Sequence, residues 1–184
     1  MFWAKKRASI RSYGNNLGLD GEDVFICWFG RRGMSWFDLR PTLNRLYSSW
    51  PPPNAVVFHL GGNGLGHYKT LDLLSRIKVD LYQLHLILPN TVLIFSEIIP
   101  RLSWFLSPDL LFLEKIRKKI NRAMAKFMPS IGGMSFRHVE LEGRIPGFYR
   151  SDNVHLSDVA LDILNLDLQT SVELAVARVG CQTC

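Results

Sequence analysis

Four residues stand out for chemistry: Asp152, His155, Asn63 and Gly33. Asp152 and His155 are three apart in the run S-D-N-V-H-L-S-D, in a loop ahead of a helix. That spacing lets one turn of chain bring a carboxylate to an imidazole. Asp152 would then accept the Nδ1 proton of His155, set its tautomer and leave Nε2 as a base. A plainer role also fits, with Asp152 capping a local turn and His155 a satisfied, half-buried histidine. The residues alone leave both open. Asn63 sits in N-A-V-V-F-H-L-G-G-N-G-L-G (54–66), among Gly61, Gly62, Gly64 and Gly66. Those glycines permit close approach of backbone and ligand, and the carboxamide offers two N–H donors to an oxygen-bearing group. The alternative is a turn in which Asn63 merely tolerates the left-handed conformation. Gly33, in G-R-R-G-M, has a backbone N–H that a loop after a strand can aim at an oxyanion. Such turns also use glycine for conformation alone.

The elements that must position these residues follow from the apolar pattern. Residues 55–60 are short, apolar and rich in β-branched side chains, as in a strand buried on both faces of a parallel sheet. Asn63 then lies at a strand's carboxyl end, where open α/β sheets place ligands. Residues 24–29 read as an earlier strand, and residues 1–19 as a helix followed by a glycine-asparagine turn. A helix is expected from about Asp38, with Pro41 in its first turn and Leu39, Leu43, Leu46 and Trp50 forming a stripe. Residues 70–88 carry apolar positions at helical spacing behind Thr70, an expected N-cap. Residues 91–95 form a strand, 108–128 a basic helix, 135–141 a weak strand and 157–179 a final helix. In the basic helix Ile116, Ile120, Met124 and Phe127 face inward, while Lys115, Lys118, Lys119, Arg122 and Lys126 face outward. Strands alternating with helices argue for an α/β fold with a parallel sheet and right-handed crossovers.

The 184 residues fit one domain spanning 1–184, with 180–184 a frayed tail. Hydrophobic content of 47% and charged content of 21% exclude disordered and fibrous classes. The odd count of three cysteines builds no disulfide framework, and Cys181 and Cys184 lack a second ligand pair for zinc. No metal and no cofactor is expected. Asn63 breaks the G-x-G-x-x-G pattern, and His67 stands where a phosphate-binding loop needs lysine. With no signal peptide and no long uncharged apolar stretch, the expectation is a soluble, cytoplasmic chain without a membrane partner. A net charge of +6 admits an acidic partner. The basic helix is the candidate face for nucleic acid, although no aromatic residues interleave with its cations.

Taken together, the three loops resemble the SGNH (GDSL-type) hydrolases, and most closely the esterase-like domains carried by vertebrate retrotransposons. The runs that carry the resemblance are 32–36 (R-G-M-S-W), 59–66 (H-L-G-G-N-G-L-G), 96–101 (S-E-I-I-P-R), 121–123 (N-R-A) and 152–157 (D-N-V-H-L-S). It implies a flavodoxin-like three-layer α/β/α sandwich and hydrolysis of a small carboxylic ester without metal or cofactor. The Gly33 N–H and the Asn63 carboxamide would form the oxyanion hole, His155 would be the base and Asp152 its orienter. Three departures accompany it. The family's nucleophilic serine and its strand precede the segment matching Phe2, Trp3 and Ala4, so both are missing here and the domain reads as N-terminally truncated. Gly64 replaces an aspartate, and Asn153 a glycine. Ser35, Ser96 and Ser157 lie near the right loops, but none sits on a sharp strand-to-helix elbow. The expectation is a pseudoenzyme without a nucleophile, with a non-enzymatic nucleic-acid-binding module as the alternative. The missing strand would lie between 24–29 and 55–60, so those neighbours either close on each other or leave the chain marginally stable.

Overall fold

The computed structural model describes residues 16–19, 24–47, 51–104 and 109–182. Three parallel strands form the sheet, β1 (Ala55–Phe58), β2 (Val92–Ser96) and β3 (Met134–Phe136), in the order β1-β2-β3. The helices are α1 (Leu39–Tyr47), α2 (Thr70–Ile87), α3 (Leu110–Phe127) and α4 (Asp158–Gln182). β2 is buried at every position, and its side chains alternate between two cores, as the two-residue period of a strand requires. Leu93 and Phe95 join Phe58 and residues of α1, α2 and α3 on one face. Val92 and Ile94 meet Met134 and Ala175 of α4 on the other. The fold is thus a three-layer α/β/α arrangement around a parallel sheet, as the alternating pattern implied.

Two strand expectations are corrected. Residues 24–29 form no strand: Phe25 is 81% exposed, and the Ile26 N–H donates to Asn16 Oδ1 at 3.0 Å rather than to a ladder. A β-segment needs a neighbour for its N–H and C=O groups. Among the described residues β1 pairs only with β2, so 24–29 and 55–60 do not close on each other. Among the described residues β1 is therefore an edge strand, with three of its four residues half-buried, whereas β2 holds the doubly buried position assigned to 55–60.

The helices differ in detail. Lys69, not Thr70, is the N-cap of α2. Asp109 caps α3, its side chain accepting from the Phe112 N–H. The weak strand at 135–141 shrinks to Met134–Phe136, and α4 continues to Gln182, so the backbone of 180–182 is helical rather than frayed. Of the helix and turn read into residues 1–19, residues 1–15 lie outside the described residues, as does Trp50.

Beyond Ser96 the chain leaves the sheet buried, and its peptide groups find partners one by one. The Glu97 N–H donates to Phe136 O at 2.9 Å, and the Ile98 N–H to Asn121 Oδ1 at 3.0 Å. Ile98 O accepts from Asn121 Nδ2 at 2.9 Å and from Arg117 Nη1 at 2.7 Å. Pro100 O accepts the Tyr149 hydroxyl at 3.1 Å. Arg117 is fully buried and also pairs with Glu114 and Glu142, each at 2.6 Å. Burial opposes its charge, yet the two carboxylates push its pKa above the ordinary arginine value. Replacing Arg117 by Met would strand the Glu142 carboxylate, leave Glu114 with Lys118 alone and remove a donor from Ile98 O. Urea denaturation is expected to show a loss of about 2–4 kcal/mol. The exposed neighbour Arg122, changed to Met, should stay within about 0.5 kcal/mol of the parent.

Candidate active site

The Gly33 loop is anchored from its carboxyl side. Met34 and Trp36 are buried, and the indole lies between Phe58 and Phe95 with ring centroids 6.2 Å from each. Its Nε1–H donates to Asp80 Oδ2 at 3.1 Å. Between them, the Ser35 N–H and hydroxyl both donate to Asp38 Oδ2, at 2.8 and 2.7 Å. The Ser35 hydroxyl, its N–H and Arg31 together hold the Asp38 carboxyl below its ordinary range. Gly33 itself is exposed at φ +69°, a conformation that favours glycine. Its N–H has no partner among the described residues.

Asn63 lies in the 3-10 turn Gly62–Gly64 just past β1. Its own φ is not positive, so the left-handed-turn reading falls and its side chain is what matters. Nδ2 donates to Met34 O at 3.1 Å, which ties the carboxamide to the Gly33 loop. Oδ1 accepts from Arg101 Nη2 at 3.0 Å. Gly62 makes room for that arginine, since a Cβ there would stand 3.0 Å from Arg101 Nη2.

Asp152 does both things the sequence left open. Oδ1 accepts from the N–H groups of Val154 and His155, each at 2.9 Å, and caps the turn. Oδ2 meets His155 Nδ1 at 2.6 Å and steers the ring. These donors, the His155 N–H foremost, hold the Asp152 carboxyl well below the usual carboxylate range. With the carboxylate ionised, the proton belongs on Nδ1. His155 is 67% exposed rather than half-buried, and Nε2 has no partner among the described residues. Asn153 adopts φ +59°, and its carbonyl accepts the Leu102 and Ser103 N–H groups, each at 3.0 Å. The 101–103 segment therefore touches both Asn63 and the Asp152–His155 turn. Burial works to lower the Arg101 pKa, and the Asp152 charge works against it.

Among the described residues no serine is bonded to His155. The Ser35 hydroxyl is held by Asp38, and that of Ser157 donates to Gly147 O at 2.9 Å. Ser96 sits at the end of β2 with its Oγ 2.7 Å from His138 Nε2 and 2.8 Å from His59 Nδ1. His138 Nδ1 lies 2.8 Å from Asp167 Oδ2. This has the connectivity of a hydrolytic triad, but Ser96 is completely buried and its Oγ is shared by two imidazoles. It is an interior polar network. Neither it nor the Arg101 contact was read from the sequence; the runs H-L-G-G-N and S-E-I-I-P-R were the only signal. Trp104 is buried beneath the Arg101 guanidinium, 4.7 Å from ring centroid to Cζ, and Phe148 packs into the core under α4. No group of three or more potential metal ligands converges among the described residues. No helix among them is long and apolar enough to cross a membrane.

The depressed Asp152 carboxyl has a defined sign. Its contribution to stability is fully present above the ordinary value of 3.8 and is lost as pH falls toward the folded-state value. Carboxyl carbon NMR should place its midpoint below 3.8. In His155→Ala the midpoint should rise yet stay below 3.8, because the two backbone donors remain.

No protein-family model matches this sequence, and no curated protein does. Solved structures do share its fold. A proposed acylhydrolase from Bacteroides fragilis matches with a TM-score of 0.67 at 13% identity, over 93% of this chain and 82% of that one. A GDSL-like lipase from Bacteroides thetaiotaomicron matches with a TM-score of 0.63 at 15% identity, over 91% and 82%. An acetyl esterase crystallised with acetate matches with a TM-score of 0.61 at 17% identity, over 82% and 70%. The chain has the α/β fold of the GDSL-like acylhydrolases and esterases.

Proposed function

We propose that this chain is an SGNH-type esterase-like domain, related to those of vertebrate retrotransposons, whose rim receives the acyl carbonyl of a small carboxylic ester. The observation that carries the reading is the tethered Asn63 carboxamide beside the unpartnered Gly33 N–H. Both are donors of the kind an oxyanion needs. The carboxylate-steered imidazole of His155 adds the base, with Nε2 open. In such a site a serine hydroxyl gives its proton to Nε2 as Oγ attacks the carbonyl carbon. The oxyanion is held by the two donors, and the imidazolium returns the proton to the departing alcohol. Water then repeats the sequence on the acyl-enzyme. No serine among the described residues is bonded to His155 for the first step, so the reading is of a site that receives the ester carbonyl but, among the described residues, has no nucleophile to serve. The expected result with a fluorophosphonate probe and a short-chain aryl ester is no serine labelling and only weak acceleration. Stoichiometric labelling of any serine would overturn the inactivity.

A second reading has its own observation. Lys115, Lys118, Lys119, Arg122 and Lys126 are all exposed on α3, and only Lys118 has an acidic partner, Glu114, among the described residues. Such a face suits the phosphate backbone of nucleic acid. Binding should weaken steeply with salt, and its slope should fall when two of these lysines are changed to Ala. Salt-insensitive or absent binding would end this reading.

A further inference from the structure

The Asn63 carboxamide is useful as an oxyanion donor only if its plane is held. An asparagine side chain can turn about its bonds and exchange the positions of oxygen and nitrogen. Here both ends are tied: one Nδ2 hydrogen goes to Met34 O at 3.1 Å, and Oδ1 accepts from Arg101 Nη2 at 3.0 Å. The guanidinium cannot donate to an NH2 group, so this contact selects the orientation with oxygen toward Arg101. The second Nδ2 hydrogen then has a fixed direction.

Arg101 is itself clamped. One face of its guanidinium lies over the Trp104 ring, 4.7 Å from the centroid, and Trp104 is buried. Gly62 leaves the space it fills. On the next two residues, the N–H groups of Leu102 and Ser103 grip Asn153 O at 3.0 Å, within the turn that carries Asp152 and His155. No carboxylate lies within ion-pair distance of Arg101 among the described residues, and its one charge-assisted bond goes to Asn63. A cationic donor on an amide oxygen draws electron density from the nitrogen, which strengthens the remaining N–H as a donor.

We infer that Arg101 is a positioning residue that orients and polarises the Asn63 carboxamide for an oxyanion and sets its separation from the Asp152–His155 pair. This rests on reading Asn63 as an oxyanion donor.

Titrating the full chain with sodium acetate at constant ionic strength, followed by NMR of the Gly33 N–H and the Asn63 carboxamide, tests both levels. The acetate oxygen stands in for the oxyanion. In the parent both signals should shift together. Arg101→Met should weaken the response by about tenfold or more, with thermal unfolding confirming a folded chain. Arg101→Lys keeps the charge but not the planar fork that lies on Trp104, so it should not restore parental affinity. If Arg101→Met does not fold, Arg101→Lys carries the comparison alone. Parental affinity in Arg101→Met, or full recovery in Arg101→Lys, would overturn the positioning role and leave the oxyanion reading standing. No shift at Gly33 or Asn63 in the parent would overturn the oxyanion reading, and the role of Arg101 with it.

Discussion

The peptide of Ile98 is the point from which the rim is hung. A chain leaving a sheet at a buried position loses its ladder partners, and each orphaned N–H and C=O must be paired again. Asn121 supplies both halves of the missing pairing with one carboxamide, and Arg117 adds a charged donor to the same carbonyl. Two side chains of one helix thus replace a strand over a single residue. Three residues later the chain presents Arg101 to Asn63. The rigidity of α3 is in this way transmitted to the loop past β1, without any contact between them at the donor itself.

The short runs that carry the family resemblance turn out to belong to a connected scaffold as much as to chemistry. Trp36 roots the Gly33 loop in the core between Phe58 and Phe95. His59, Ser96, His138 and Asp167 join the ends of all three strands to α4 through hydrogen bonds. Asn121 holds Ile98, and Arg101 holds Asn63. Buried polar groups of this kind are costly unless every member is satisfied, and once satisfied they specify one arrangement.

The rim itself is uneven in how it is held. Asn63 and the Gly33 loop are fastened to the core on several sides, whereas Asp152 and His155 are exposed and depend on one another and on a single turn. The bond from Asn153 O to the 102–103 peptides is what joins this turn to the rest. The Asn63 carboxamide is thus set by the interior, and the His155 imidazole by a surface turn.

What the amino-acid order determined by itself was local. Short continuous apolar runs alternating with stripes of period 3.6 announced a parallel α/β fold, and the three-residue spacing of Asp152 and His155 was enough to bring carboxylate and imidazole together. A positive φ at Gly33 and at Asn153 was legible for the same reason, since it is a property of one residue's backbone. Contacts between distant parts of the chain were not legible. The 24–29 run has the composition of a strand, but a strand exists only when a neighbour pairs with it, and composition names no neighbour. Arg101 lies 38 residues from Asn63, and His138 lies 42 from Ser96. Their meeting depends on the register of β2 between β1 and β3 and on how α3 and α4 pack across the sheet. Only the tertiary structure sets those, because each is a sum over many weak contacts and not the preference of any one segment.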